Sequence, residues 1–224
     1  MSVNDAGGLT EGDPPAGWVP ALVGVGGAGV RFRSINGGLS WPFEARLAPS
    51  GGDDENLLRA VAYGKGIWIT GGWQYFTSTD AKTWTKRTHP CGGAVVEGLA
   101  FGAGRFIAAC GDTTFSSTDG LDWTRGGRSP AAAIRRSFMR QAYSSRDGAN
   151  WTQLPGVQDV AACNGAIKSR SQCFNAIQLQ GAYFRGYAPE LGGDGVHRSV
   201  DGKVWTAVHP IGVNAFASGF VPGQ

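Results

Sequence analysis

Several groups of residues in this chain have types and spacings that chemistry uses. Gly24-Val-Gly26-Gly-Ala-Gly29 fits GxGxxG, with Glu44 about twenty residues on. In a strand–turn–helix unit that pattern cradles a dinucleotide pyrophosphate. No helical periodicity follows it here; the next residues read as a strand and the Asn36-Gly-Gly38 turn, so these glycines are expected to form a loop between strands. The histidines invite a metal or triad reading, yet His89 and His209 each precede a proline and each closely follow a tryptophan, Trp84 and Trp205. That echo predicts two equivalent loops rather than ligation. Asp53-Asp54-Glu55, after Gly51-Gly52, offers hard oxygens to calcium but lacks the alternating spacing of a dedicated loop. The cysteines at 91, 110, 163 and 173 contain no CxxC pair and are too sparse for a disulfide scaffold. Cys163 and Cys173 bracket a short polar loop that they could close, and Cys91 with Cys110 is the other pairing to consider. No metal or cofactor is expected.

Composition narrows the elements that must position these residues. Gly makes up 37 of 224 residues and charged residues only 17%, which describes a turn-rich chain with few solvated helix faces. The 42% hydrophobic content is enough to fill a core. An all-β fold is expected, and a helical bundle, a coiled coil or a disordered chain is excluded. No apolar run approaches a membrane span, so no membrane insertion is expected. Met1-Ser-Val-Asn-Asp-Ala lacks the basic start and apolar run of a signal peptide, which leads to the expectation of a cytoplasmic or virion-associated protein. A net charge of +3, carried by scattered Lys and Arg, does not point to nucleic acid.

The tryptophans reveal a repeat. Five of the eight end one phrase, Ser-x-Asp-Gly-x-x-Trp. It reads Ser117-Thr-Asp119-Gly120-Leu-Asp-Trp123, Ser145-Arg-Asp147-Gly148-Ala-Asn-Trp151 and Ser199-Val-Asp201-Gly202-Lys-Val-Trp205. Ser78-Thr-Asp80-Ala81-Lys-Thr-Trp84 differs at the glycine, and Ser34-Ile-Asn36-Gly-Gly38-Leu-Ser-Trp41 is one residue longer with Asn for Asp. A second phrase, a strand broken by a glycine turn, begins at Ala62, Ala100, Ile177 and Ala215, in a register of about 38 residues with one copy unfilled near position 138.

Each repeat therefore encodes two hairpins: the glycine turn joins the first and second strands, and the box joins the third and fourth. In the box, Ser and Asp side chains bond turn amides, Gly takes the positive φ, and Trp covers the turn. A lone twisted sheet of four strands leaves its faces uncovered, so the sheets must stack radially as a β-propeller. At about 45 residues per repeat, 224 residues make five blades. The C-terminal segment 215–220 has a first strand without a box, and 18–41 has a box without a first strand, so the two ends are expected to share one blade and remove an open edge. Residues 1–16 form an N-terminal extension and 17–224 a single domain. Trp123 and Trp151 stand too close for a full repeat and Trp151 and Trp205 too far apart, which predicts an irregular blade over about 124–156 and an inserted loop over about 157–173.

At these residues the chain resembles the Asp-box, or bacterial neuraminidase repeat, β-propellers, which include sialidases, other glycosidases and sortilin-like receptors. The resemblance implies that the box residues are structural: Ser34, Asn36, Trp41, Ser78, Asp80, Trp84, Ser117, Asp119, Trp123, Ser145, Asp147, Trp151, Ser199, Asp201 and Trp205. Sialidase activity would need an arginine triad and the Arg-Ile-Pro phrase, which is missing; Arg31 and Arg33 fall at a comparable early position but belong to the strand entering the first box. Glycoside hydrolysis needs two carboxylates about 5–9.5 Å apart, and few acidic residues lie outside the boxes. The chain is not expected to be an enzyme.

Function is then expected on the loops opposite the boxes, which vary without disturbing the stack. Gly71-Gly-Trp73-Gln-Tyr75 is the informative one, because its counterpart Gly111-Asp-Thr-Thr114 has no aromatic. Trp73 and Tyr75 are candidate ligand contacts, as are Arg87, His89, Arg135 and Arg136 in interblade segments. The expected activity is recognition of a glycan or a protein surface, the alternative being a structural part of a larger assembly such as a phage virion.

Overall fold

The structure, a computed structural model, describes residues 2–3, 9–10, 15–47, 56–102, 104–128, 143–144, 152–153, 177–186, 195–201 and 204–223. In chain order the strands are β1 Ser2–Val3, β2 Leu9–Thr10, β3 Trp18–Val25, β4 Arg31–Ser34, β5 Phe43–Ala45, β6 Leu58–Gly64, β7 Ile67–Gly72, β8 Tyr75–Ser78, β9 Thr85–Lys86, β10 Gly98–Gly102, β11 Arg105–Cys110, β12 Thr113–Ser117 and β13 Thr124–Arg128. They continue as β14 Tyr143–Ser144, β15 Thr152–Gln153, β16 Ile177–Leu179, β17 Ala182–Gly186, β18 Val196–Ser199, β19 Thr206–His209 and β20 Ala215–Pro222. Four antiparallel sheets of four strands each are formed, in the orders β20-β3-β4-β5, β6-β7-β8-β9, β10-β11-β12-β13 and β16-β17-β18-β19. They are called the first, second, third and C-terminal sheets below. Two short pairs, β1-β2 and β14-β15, complete the described strands. Among the described residues no helix is long and apolar enough to cross a membrane.

Within each sheet the strands follow chain order, except that β20 borders β3. Eight residue pairs join them, from Ala215↔Val25 to Pro222↔Trp18, so the first sheet draws on both ends of the chain. The sheets pack face to face. Tyr63 of β6 lies against Gly219 of β20, and Trp68 Nε1 donates to Phe220 O at 3.0 Å, joining the second sheet to the first. Phe101 of β10 lies against Gly64 of β6, joining the third sheet to the second. Phe184 of β17 lies under Gly38, joining the C-terminal sheet to the first. These seams hold the core, whose largest fully buried side chains are Trp68, Tyr75, Phe32, Phe106 and Phe184.

The box turns are built alike. Ser78 Oγ donates to Asp80 Oδ1 at 2.9 Å and accepts the Ala81 N–H at 2.8 Å, while Asp80 Oδ1 accepts the N–H groups of Lys82 and Thr83, both at 2.8 Å. Ser117 and Asp119 repeat this with Gly120, Leu121 and Asp122. Ser34 and Asn36 do so with Gly38 and Ser40, and Ser199 with Asp201 and Val204. Ser78 and Ser117 thus tie down the third amide after the serine, where the chain turns left-handed at Ala81 (φ 55°) and Gly120 (φ 76°), and Ser34 ties down the fourth, at Gly38 (φ 76°). Trp41 is buried, and Trp84, Trp123 and Trp205 are half-buried. The fourth box, Ser145, Asp147 and Trp151, lies outside the described residues.

Other expectations resolve here. Gly24 lies within β3, and Gly26 and Gly29 connect β3 to β4 through a 3-10 turn over Gly27–Gly29, so GxGxxG is a strand and its loop to the next strand; Gly29 is left-handed and Leu47 packs on it too closely for any side chain. Cys91 and Cys110 form a disulfide with their Cα atoms 5.6 Å apart, whereas Cys163 and Cys173 lie outside the described residues. Thr124–Arg128 is an outer strand paired with β12, with a register shift between Thr113 and Phe115; of the rest of the blade expected over about 124–156 only the short β14–β15 pair is described. The segment 157–173 lies outside the described residues.

Candidate functional site

In each antiparallel sheet the connection between the second and third strands lies at the end opposite the box. In the second sheet that connection is Trp73-Gln74 between β7 and β8. Three bonds hold its base. Gly72 N donates to Gln74 O at 2.9 Å, closing the turn, while Gly72 O accepts both Val96 N at 2.9 Å and His89 Nε2 at 3.0 Å. Gln74 Nε2 donates to Asn56 Oδ1 at 2.9 Å. Gly72 itself lies so close to Leu57 O that a Cβ has no room. From this fixed base the Trp73 indole stands out, 47% exposed, the one large apolar side chain exposed outside the box turns among the described residues.

The neighbouring candidates are placed very differently. Tyr75, expected as a ligand contact, is fully buried: its hydroxyl donates to Gly120 O at 2.6 Å and its ring meets Trp123 edge-on at 5.8 Å. Strand alternation explains the correction. Trp73 sits in the turn, whereas Tyr75 is already in β8 and directed into the seam with the third sheet. Burial pushes the Tyr75 hydroxyl above the usual phenol range; the Asp119 carboxylate adds to this, and Trp123 and Arg87 oppose it more weakly than burial raises it.

His89 has no nitrogen left for a ligand. Nδ1 accepts the Cys91 N–H at 3.2 Å, which leaves Nε2 as the donor to Gly72 O. His209 repeats the motif, with Nδ1 accepting the Ile211 N–H at 3.2 Å and the ring stacked on Phe32 at 4.3 Å. Both histidines are therefore braces of loops that join one sheet to the next, at equivalent His-Pro positions. The first brace is tied further by the Cys91–Cys110 disulfide. Arg87 is exposed; its backbone N–H donates to Tyr75 O at 2.9 Å and its Nε to Thr77 Oγ1 at 3.0 Å. Arg135 and Arg136 lie outside the described residues. Trp73 and Arg87 are thus the two candidate contacts with exposed side chains.

Chemically this is an exposed aromatic on a rigid turn, with an exposed guanidinium on the outer strand side of the same sheet. An exposed indole stacks on a sugar face or fills a pocket in a partner surface, and a guanidinium pairs with an anion. Among the described residues no group of three or more His, Cys, Asp or Glu is placed to hold a metal.

Sequence reasoning missed the arginines that link sheets. Arg33 Nη1 donates to Asp80 O at 2.8 Å in the next sheet's box, and Arg198 Nε to Gly37 O at 3.0 Å in another. A signal was available, because each arginine immediately precedes a box serine.

No family model matches the chain, and no curated protein does. Three solved structures are similar in outline. One, described as YCF48 bound to D1 peptide, is 11% identical, with 90% of this chain and 73% of that chain covered and a TM-score of 0.40. A protein of unknown function from Bacteroides caccae is 9% identical, with 89% and 98% covered and a TM-score of 0.39. The computationally designed Ika8 protein is 14% identical, with 83% and 48% covered and a TM-score of 0.24. At these values none of them assigns a fold or a function to this chain.

Proposed function

We propose that this chain is a five-bladed β-propeller of the Asp-box kind that acts as a non-catalytic recognition or docking module, binding a glycan or protein surface through the face opposite the boxes. Three features support the architecture: matching Ser–Asx bonds in four box turns, seams that join the second sheet to the first, the third to the second and the C-terminal sheet to the first, and one sheet shared by both ends of the chain. The observation that carries the function is Trp73. Leaving nearly half of an indole in water forgoes burial that folding otherwise seeks, and the turn beneath it is braced from three directions. A preorganised aromatic loses little on binding.

A glycan array and capture from surface extracts, each run with the intact protein and with Trp73→Ala, test this reading. Binding that disappears in the variant while the melting temperature holds supports it. Equal binding by both proteins removes Trp73 from the site, and turnover of a fluorogenic sialoside that depends on an arginine or a loop carboxylate overturns the non-catalytic assignment.

A further inference from the structure

Residues three positions before a box serine face the next sheet's box tryptophan. Tyr75 meets Trp123 this way, and Val196 shares an apolar cluster with Trp41. Arg31 occupies the same position in the first sheet, and its Cζ lies 5.8 Å from the Trp84 ring centroid and 5.2 Å from that of Phe76. The side chain is 6% exposed, and its Nε is shut off from water with no acceptor. Arg33 and Arg198, by contrast, each hold a box carbonyl.

Among the described residues no anion faces this charge. A buried guanidinium without an anion is less favourable than an apolar side chain of equal volume, and contact with aromatic faces returns only part of the loss. Burial pulls the Arg31 pKa below its ordinary value, as expected of a cation short of solvation. Its terminal nitrogens are not enclosed in the way Nε is, so the open end of the fork meets the surface between the first and second sheets.

We infer that Arg31, flanked by Phe76 and Trp84, is a receptor slot for a single carboxylate side chain, Glu or Asp, presented by a partner protein. A carboxylate matches the planar fork with paired hydrogen bonds, which gain strength where water is scarce. Two aromatic side chains flank the guanidinium and only 6% of the residue is exposed, so a flat group on a slender stalk fits better than a carboxylate carried directly on a sugar ring. This site is independent of the Trp73 surface.

The test follows the Arg31 Nε–H resonance in the full-length protein by nitrogen-edited NMR at fixed ionic strength. Added acetyl-Gly-Glu-Gly-amide should shift it saturably, the Gln counterpart should not, and glucuronate should shift it less than the Glu peptide does. Arg31→Met should lose the response with its Tm unchanged or raised, and Arg31→Lys should lose most of it. Absence of a saturable shift in the wild type overturns the proposal, whatever the variants' Tm. A glucuronate response equal to or above that of the peptide overturns the assignment to a protein carboxylate. The chain's own acidic run, Asp53-Asp54-Glu55, is tested by the D53N/D54N/E55Q variant; if those changes alone move the Nε–H resonance of the unliganded protein and enable peptide binding, the slot serves an internal carboxylate and the proposal fails.

Discussion

The hydroxyl of Tyr75 donates to the carbonyl of Gly120 at 2.6 Å, crossing from the third strand of one sheet into the box turn of the next. The box is therefore a latch as well as a turn: the carbonyls of Gly37, Asp80 and Gly120 are each held by a side chain from the neighbouring sheet, Arg198, Arg33 and Tyr75 respectively. Tyr75→Phe leaves a buried carbonyl without its donor and should destabilise the fold by about 1–2 kcal/mol. Urea denaturation checks this. An unchanged midpoint would show that the latch carries no load.

The same hydroxyl predicts an alkaline limb. Its folded pKa is raised, chiefly by burial, so the unfolded chain ionises first. The stabilisation is whole below about pH 10 and is lost as pH climbs beyond it, because only the unfolded state releases the proton there. Stability measured between neutral and strongly alkaline pH should fall less steeply in Tyr75→Phe than in the wild type.

Asp80 and Asp119 govern the acid limb. For Asp80 partial burial works upward, but the amides of Thr83 and Lys82 and the Ser78 hydroxyl outweigh it; for Asp119 the Leu121 and Asp122 amides and the Ser117 hydroxyl pull downward. Both carboxyls sit below their ordinary range, so their contribution is present above about pH 4 and is lost as pH falls through the folded values. Asn36 makes the corresponding bonds without ionising. Asp119→Asn should accordingly change stability at pH 7 by less than about 1 kcal/mol and flatten the acid limb, whereas Asp119→Ala should lose about 1 kcal/mol at pH 7. Thermal melts across pH 2–7 separate the two outcomes.

Gly38 and Ala81 occupy matching left-handed positions with different freedom. A Cβ on Gly38 would run into the Phe184 ring, while Ala81 carries its methyl in a cluster with the smaller Val23. Gly38→Ala should destabilise by about 3 kcal/mol, adding overpacking to left-handed strain. Ala81→Gly should stay within about 1 kcal/mol of neutral, because relief of roughly 1–2 kcal/mol of strain is offset by the buried methyl and by unfolded-chain freedom. Differential scanning calorimetry of both variants tests the contrast.

The Cys91–Cys110 disulfide closes a loop between residues 19 apart and ties the His89 brace to the third sheet. Reduction by a dithiol, or the Cys91→Ser/Cys110→Ser pair, should lower stability by about 3 kcal/mol. Hydrogen exchange at Gly72 and Val96 should quicken at the same time. Unchanged exchange there would show that the brace holds Trp73 without the disulfide.

What could be read from the residues was whatever repeats locally. Ser, Asp, Gly and Trp within seven residues specify a turn through short-range bonds, so four boxes and the strands flanking them were legible before any coordinates, as was the kinship of His89 and His209. The contacts that divide Trp73 from Tyr75 are different in kind. The two aromatics stand two residues apart and read as a pair, yet one projects from a turn and the other enters a seam, and only the packing of the second sheet on the third decides which is which. The Cys91–Cys110 pairing, the latch carbonyls and the lone guanidinium of Arg31 likewise depend on partners from other repeats. Spacing along one strand sets which way a side chain points, but what it meets is set by a neighbouring sheet, and that relation is fixed by packing across the seam rather than by adjacency in the chain.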